Sequence, residues 1–506
     1  MTTKQQYTTN KVECKAVLNN NELQVFGTFQ FSTSLDPKMN ELDALIAAAE
    51  AIGQMVKERA AIMSLEESDQ RATAAAQRCA QHCAKRLHKN GTRPFTIITP
   101  FGRIKVQRQR LRNPVTGKTF IPSSELWETK QNRHIVSALA AECCDTVQEI
   151  SYRKSQRAIS EQSNSESLLA HSTVWNLKQS QGKQLEHIQN QFVHDCLGQY
   201  EKQMEEHGLL PLPDSAEELF DEPSDCRIKE EAQRLYHHFT DLSDNERTQG
   251  ERSDSGLNTK RSCHVPKDVI LLQADEVVTK SQMKGCKWNK TFTATIEDGN
   301  GRREYLVSRT AFALQILVGA VLLCLGLRKK RLEVISDGAS WISTWISRIL
   351  KVDTYHILCW YHLCKRVYEG LSGVGASKKE RRQLELEVLG LLWKGKASEA
   401  ITQLRSLLPR CRVRARVENL IDYLVRKRSQ IADYETRHEQ GLWIASTRVE
   451  RWNDIAVSER CKGRGMSWVD TGVLAIALHA SEKKRNQTSE TTCLSYQNES
   501  INHTSL

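Results

Sequence analysis

The apolar positions of this chain change period several times, and each change marks an element. Leu42, Leu45, Ile46, Ala49, Ile52 and Val56 recur at three- and four-residue spacing, which places them on one face of a helix. An Ala- and Arg-rich run carries the pattern to about His88, so a helical hairpin is expected there. The first thirty or so residues show no clear period. Residues 95–99 and 102–111 read as two short strands, and Asn113 to Gly117 turn the chain into a third segment at 118–121. Helical spacing returns over 133–150 and 152–160, and Ser172 is placed to cap a helix opening with Thr173, Val174 and Trp175.

The second half repeats strand signals. A buried strand from Lys267 ends on Asp275, and residues 291–296 and 304–307 flank a Gly/Asn/Asp turn that makes a hairpin. The apolar run 311–327 is a core helix, because Gln315, Gly319 and Gly326 interrupt it and it is short for a membrane span. Leu332, Val334 and Ile335 form another buried strand, ending on Asp337, followed by the helical face Trp341, Ile342, Trp345, Ile346 and Ile349. A strand is expected at 354–359 and helices almost throughout 361–434. Ser446 or Thr447 can cap a helix that carries Glu450 and stops near Gly463 or Gly465, and another follows from about Val469. Beyond Lys483 the chain is polar and expected to be disordered. Strands, a helix, then strand-helix alternation predict an α/β fold, a mixed sheet with helices on its faces.

Charge narrows the partners. The 506 residues carry a formal net charge of +11, which favours a polyanion, with nucleic acid the leading candidate. That length allows two to four domains, and the 39% hydrophobic content fits a soluble globular protein. Fifteen scattered cysteines and a first segment without signal-peptide character point to reduced thiols in a cytoplasmic protein without membrane contact. The strand at 102–111 carries Arg108 and Arg110 among other cations, suited either to tracking phosphates or to a solvated edge. The three helices after it suggest a helix-turn-helix-like unit presenting Thr173, Asn176 and Lys178 to a major groove, or else a plain helical bundle. Arg448, Arg460, Lys462 and Arg464 add a basic segment around Glu450. Cys79, His82, Cys83 and His88 have zinc-ligand chemistry but no second CxxC-type pair, so packing is the preferred reading.

A strand-tip aspartate usually caps the next helix. Three separated carboxylates, Asp275, Asp337 and Glu450, offer more. Mg²⁺ or Mn²⁺ takes oxygen ligands, and two such ions about 4 Å apart support in-line phosphodiester displacement. In that arrangement Asp275 bridges both ions, Asp337 holds one and Glu450 the other. Glu276 and Asp454 are nearby acids with a local cap or salt bridge as their default role.

The segments ADEVVTKSQ (274–282), ISDGASWI (335–342), ILCWYHLCKRVYEGLSG (357–373), LLWKGKASEAITQL (391–404) and GLWIASTRVERWNDIAVSERCKGRGMSW (441–468) occur in that order. Together they resemble bacterial DDE-type insertion-sequence transposases, of the Kra-type group and its Lre-type relatives. The resemblance covers about 266–480 well and 95–182 loosely. It implies a ribonuclease-H-like fold with a helical insertion between the second Asp and the Glu, an acidic triad at Asp275, Asp337 and Glu450, and His362 as an active-site neighbour. It also implies metal-dependent cleavage and joining of element ends in double-stranded DNA by a homodimer or larger assembly. This chain has Cys359 where such proteins commonly have Asp, which keeps open a decayed or repurposed transposase acting as a non-enzymatic DNA-binding protein. A zinc site of Cys359, His362 and Cys364 is the lesser reading of that cluster. The expected divisions are a helical region at 1–92, a β-hairpin and helix-turn-helix-like region at 93–200, an acidic linker at 201–265, the first part of the catalytic domain at 266–360, a helical insertion at 361–435, closing helices at 436–482, and a tail at 483–506.

Overall fold

The computed structural model describes residues 9–19, 22–31, 41–82, 86–124, 127, 134–163, 168–206, 263–327, 330–342 and 354–487. Cys83, the helical face Trp345–Ile346–Ile349, most of the acidic linker and residues 488–506 of the expected tail lie outside them. The chain divides into two compact units, residues 1–180 and 181–506.

The first unit corrects the expectation of a helical region at 1–92. Strands β1 (Thr9–Asn19) and β2 (Glu22–Phe31) form an antiparallel hairpin in the stretch where no period was legible. The expected helical hairpin is one helix of 42 residues, Glu41–His82. No proline or turn cluster breaks that span, and Gly53 alone costs only about 1 kcal/mol. A second sheet follows in the order β3 (His88–Thr99), β4 (Gly102–Arg112), β5 (Thr119–Phe120). Phe95, Ile97, Ile104 and Val106 form its apolar face against Ile62 and Leu65 of the long helix. Asp69 of that helix is buried and accepts from the Gln109 amide at 2.8 Å and from the Ser123 hydroxyl. Buried acids need such partners, so Asp69 fixes how the helix sits on the sheet. The helices Ser137–Glu149 and Tyr152–Gln162 follow, and His171–Glu206 begins in this unit and continues into the next.

The second unit is built on a five-stranded mixed sheet in the order β10 (Thr354–Leu358), β9 (Arg331–Ser336), β6 (Val269–Lys280), β7 (Trp288–Asp298), β8 (Arg303–Ser308). Strands β6, β7 and β8 run as an antiparallel meander, and β9 and β10 lie parallel to β6. The period of two sorts β6 between its faces. Ile270, Leu272 and Ala274 pack with the helix Ala311–Cys324 and with Phe192 of the helix His171–Glu206. Leu271 points the other way, with Ile335 and Ile357, into a core shared with the helical insertion. Thr310 caps the Ala311–Cys324 helix by accepting from the Ala313 amide at 3.1 Å.

The insertion comprises helices Trp360–Leu371, Lys378–Trp393, Ala397–Leu407, Arg414–Lys427 and Tyr434–Glu439. Ser377 and Glu380 form a capping box at the second. Trp360, Trp393 and Tyr434 meet with centroid separations of 4.8 to 6.4 Å. Two links return the insertion to the sheet. The Tyr434 hydroxyl donates to the Leu358 carbonyl at 2.7 Å, and Arg437 pairs with the buried Glu333 of β9, also at 2.7 Å. The chain then enters Thr447–Asn453, a π-helical turn at Asp454–Ser458 and Glu459–Cys461. The last helix, Asp470–Gln487, runs five residues beyond the expected limit at 482, because the polar residues there still favour helix. Among the described residues no helix is long and apolar enough to cross a membrane.

Candidate functional site

Register brings the two aspartates together. In the parallel pairing of β6 and β9, Gln273 faces Ile335, so two further residues along each chain set Asp275 level with Asp337. In the pairing of β9 and β10, Leu358 faces Ser336, which sets Cys359 level with Asp337. Paired residues on adjacent parallel strands project from the same face about 4.8 Å apart. One face therefore presents Asp275, Asp337 and Cys359 in a row. Asp275 is not a strand tip in its own strand, since β6 continues to Lys280 along β7. It is the point where the β9 partner ends, which opens one side of β6 while the other stays paired. Glu276, one residue on, takes the opposite face and pairs with Lys290 at 3.4 Å. Asp454 is exposed to solvent.

Glu450 arrives from the helix Thr447–Asn453, and the sheet itself positions that helix. Gln273 is fully buried, and its side-chain oxygen accepts from the backbone N–H of Arg448 at 3.1 Å and of Val449 at 3.2 Å. Its amide donates to the Ala445 carbonyl at 3.3 Å. These are the free N–H groups of a helix start, ordinarily met by a local cap. Ser446 in the cap position makes no such bond and donates instead to Glu450 Oε1 at 2.8 Å. At the other end of the helix Asn453 donates to Asp275 Oδ2 at 2.7 Å and accepts from the Thr293 hydroxyl on β7. Trp452 anchors the outer side through its indole N–H to the Leu306 carbonyl at 3.2 Å.

The electrostatics follow from this convergence. Burial, then the negative charge of Asp337, push the Asp275 carboxyl up to about 7 against the opposing pull of His362, with Glu450 adding to the rise. Like charges held this close disfavour joint ionisation, and a bound cation relieves the conflict. Asp337 Oδ1 also accepts from the Ala339 amide at 2.8 Å, so the ordinary capping role is filled as well. His362 lies on the first turn of Trp360–Leu371, with Nδ1 3.8 Å from Glu450 Oε1. Burial lowers the basicity of its ring, but Cys359, Glu450 and Asp337 outweigh this and raise it to about 10. Below the row, His356 bonds Ser336 Oγ at 2.8 Å, and burial holds its ring down to about 4.

A scan against protein-family models and a search of curated proteins found no match to this chain.

Three of the expected DNA-contacting cations, Arg108, Lys178 and Arg460, are buried, and a fourth, Arg448, is half-buried. Arg108 is buried, lies 3.6 Å from the Phe95 ring centroid and donates to Ser124. Strand alternation turns it inward while Arg103 and Lys105 face out. Lys178 is fully buried and donates to the Cys144 carbonyl and to Gln148. Arg460 is buried against Trp468, and Arg448 stacks on Trp443 while pairing with Glu297. Arg108, Lys178 and Arg460 are corrections: the charge was visible in the sequence, its direction was not. Arg110 is half-buried and donates to the Asn90 carbonyl. Thr173 and Asn176 are half-buried on a helix of 36 residues, and Lys462 and Arg464 are exposed. Among the described residues the ligand atoms that lie together are those of Cys359, His362 and Glu450; Cys364, buried in the insertion core, is outside that group. Cys79 is exposed in the long helix and His88 opens β3.

Gln273, Asn453 and Thr293 were missed from the sequence. The spacing of Gln273 two residues before Asp275 put it on the same strand face. Nothing local marked it as the cap of a helix some 170 residues away.

Proposed function

We propose that this chain is a DDE-type transposase, a metal-dependent enzyme that cuts and joins the ends of a mobile DNA element. The observation that carries the reading is the strand register that sets Asp275 level with Asp337 on one sheet face, with Glu450 delivered to them by a helix capped from that sheet. The mixed sheet and the helical insertion between Asp337 and Glu450 support a ribonuclease-H-like catalytic unit.

The donor set fits hard cations. Asp275, Asp337 and Glu450 offer carboxylate oxygens, and the mutual repulsion at Asp275 is what Mg²⁺ or Mn²⁺ neutralises. Two such ions, when bound, activate an attacking oxygen and stabilise the leaving one. The protein's own part is placement. Asn453 orients the Asp275 carboxylate, Ser446 holds one Glu450 oxygen, and Gln273 fixes the helix between them. His362 carries a positive charge beside the acids and is placed to meet a phosphate oxygen. The exposed Lys462 and Arg464 follow on the same chain segment and offer cations to a DNA backbone.

The test is Mg²⁺- or Mn²⁺-dependent cleavage of a duplex carrying the flanking element ends, comparing the unaltered protein with Asp337→Asn. Loss of cutting with retained DNA binding places the chemistry at these carboxylates. Binding by both proteins and cutting by neither makes the chain a non-enzymatic DNA-binding relative.

A further inference from the structure

Three ligand-bearing side chains meet at the edge of the acid centre. Cys359 Sγ, a ring nitrogen of His362 and a Glu450 oxygen lie within 4.8 Å of one another. We propose that Cys359, His362 and Glu450 form a separate site for a borderline-soft divalent cation of the Zn²⁺ or Co²⁺ type, one that Mg²⁺ does not occupy.

Chemistry and geometry both select that class of ion. One sulfur, one nitrogen and one oxygen donor with an open fourth position is a tetrahedral set used for Zn²⁺ and Co²⁺, whereas Mg²⁺ demands oxygens. Zinc bonds of about 2.0 to 2.3 Å put tetrahedral ligands roughly 3.3 to 3.8 Å apart. Closing the present spread needs a movement of about 1 Å, within reach of the partly exposed Glu450 side chain. The two other ligands are already set. Cys359 and His362 stand three residues apart at the start of Trp360–Leu371, which puts them on one side of the first turn. The backbone there is held by the Cys359 amide to the Ser336 carbonyl at 2.7 Å and the Trp360 amide to the Ile444 carbonyl at 3.0 Å. Two further features point to a cation. The Ser446 N–H donates to Cys359 Sγ at 3.3 Å, so the sulfur already serves as an acceptor facing the cluster. His362 Nδ1 is buried without a hydrogen-bond partner, 3.8 Å from Glu450. Binding displaces the Cys359 thiol proton and the His362 ring proton to solvent, leaving a neutral unit of one thiolate, one carboxylate, one uncharged imidazole and one dication.

The consequence for regulation rests on the transposase reading. Glu450 belongs to both sites, so a thiophilic ion held by Cys359 and His362 draws Glu450 away from the Asp275 and Asp337 pair. Zn²⁺ is then an inhibitor at fixed Mg²⁺.

The experiment is a Co²⁺ titration of the full chain in the presence of a non-thiol reductant, read by the thiolate-to-cobalt charge-transfer absorption. One Co²⁺ per chain with that band is expected, lost in Cys359→Ser and in His362→Gln. Glu450→Gln keeps the band but weakens binding at least about tenfold, the smallest loss that even outer partners of a metal ligand cause. His362 is part-exposed, so its variant covers the case in which Cys359→Ser fails to fold. Asp275→Asn separates the two readings, because it keeps the cobalt band while abolishing cleavage. A band unchanged in both the Cys359 and His362 variants overturns the site. A Cys359-dependent band in a protein that never cuts DNA leaves the site standing and overturns the transposase.

Discussion

Replacing Gln273 with leucine should release the Glu450 helix without dismantling the sheet. Leucine fills a similar volume on β6 but accepts no hydrogen bond, so the Arg448 and Val449 amides lose the oxygen now at 3.1 and 3.2 Å, and the Ala445 carbonyl loses its donor at 3.3 Å. A buried polar group left unsatisfied costs about 1 to 3 kcal/mol. The Val449 amide is fully buried and the Arg448 amide partly so. The local cost is therefore about 2 to 4 kcal/mol, the lower end allowing for the apolar gain of leucine. At 1.4 kcal/mol per tenfold, about 2 kcal/mol is roughly a thirtyfold rise in local opening. Hydrogen exchange of a peptide spanning Thr447–Asn453 reads it directly. Strand β6 should keep its protection, and metal-dependent cleavage should fall because Glu450 leaves its place. Gln273→Glu is an informative second variant, since only its protonated form reproduces both the acceptor and the donor. Its protection should fall as pH rises. A change below about threefold in the leucine variant would refute the claim that the sheet caps this helix.

Three further outcomes follow from the same contacts. The stabilising contribution of the Asp275 carboxyl in the metal-free protein should be lost as pH rises from about 4 to about 7, because the folded state holds its proton up to about 7 whereas an unfolded aspartate releases it near 3.8; buried His356, held down to about 4, acts in the opposite sense, so the contribution is read as the difference from Asp275→Asn. Urea midpoints of the unaltered protein and Asp275→Asn across that range should converge toward acid, and added Mg²⁺ should remove much of the slope. Arg437→Met should destabilise the second unit by about 3 to 5 kcal/mol, since it strands the buried Glu333, while Arg437→Met with Glu333→Leu should recover most of the loss in thermal unfolding. In DNA-binding titrations over a salt series, Lys462→Ala and Arg464→Ala should each reduce the slope of log K against log salt by about 1, and Lys178→Met should leave it unchanged.

The sequence by itself determined the local grammar of this protein. The apolar run from Val269, the β7–β8 hairpin, the core helix Ala311–Cys324 and the insertion helices all follow from periodicity and turn residues, because those signals act within a few residues. It also marked Asp275, Asp337 and Glu450 as separated acids of interest. Long-range pairing was another matter. The β1–β2 hairpin left no legible period, and the expected helical hairpin is one unbroken helix, Glu41–His82, lying along a sheet. Only the tertiary structure decided that a parallel register levels Asp275 with Asp337 and Cys359, and that Gln273 caps a helix far along the chain. It also turned Arg108, Lys178 and Arg460 inward. A side chain's charge is written in its residue type, but the direction it faces depends on strand pleat and on which neighbour can pay for its burial, and both are set by contacts between distant segments.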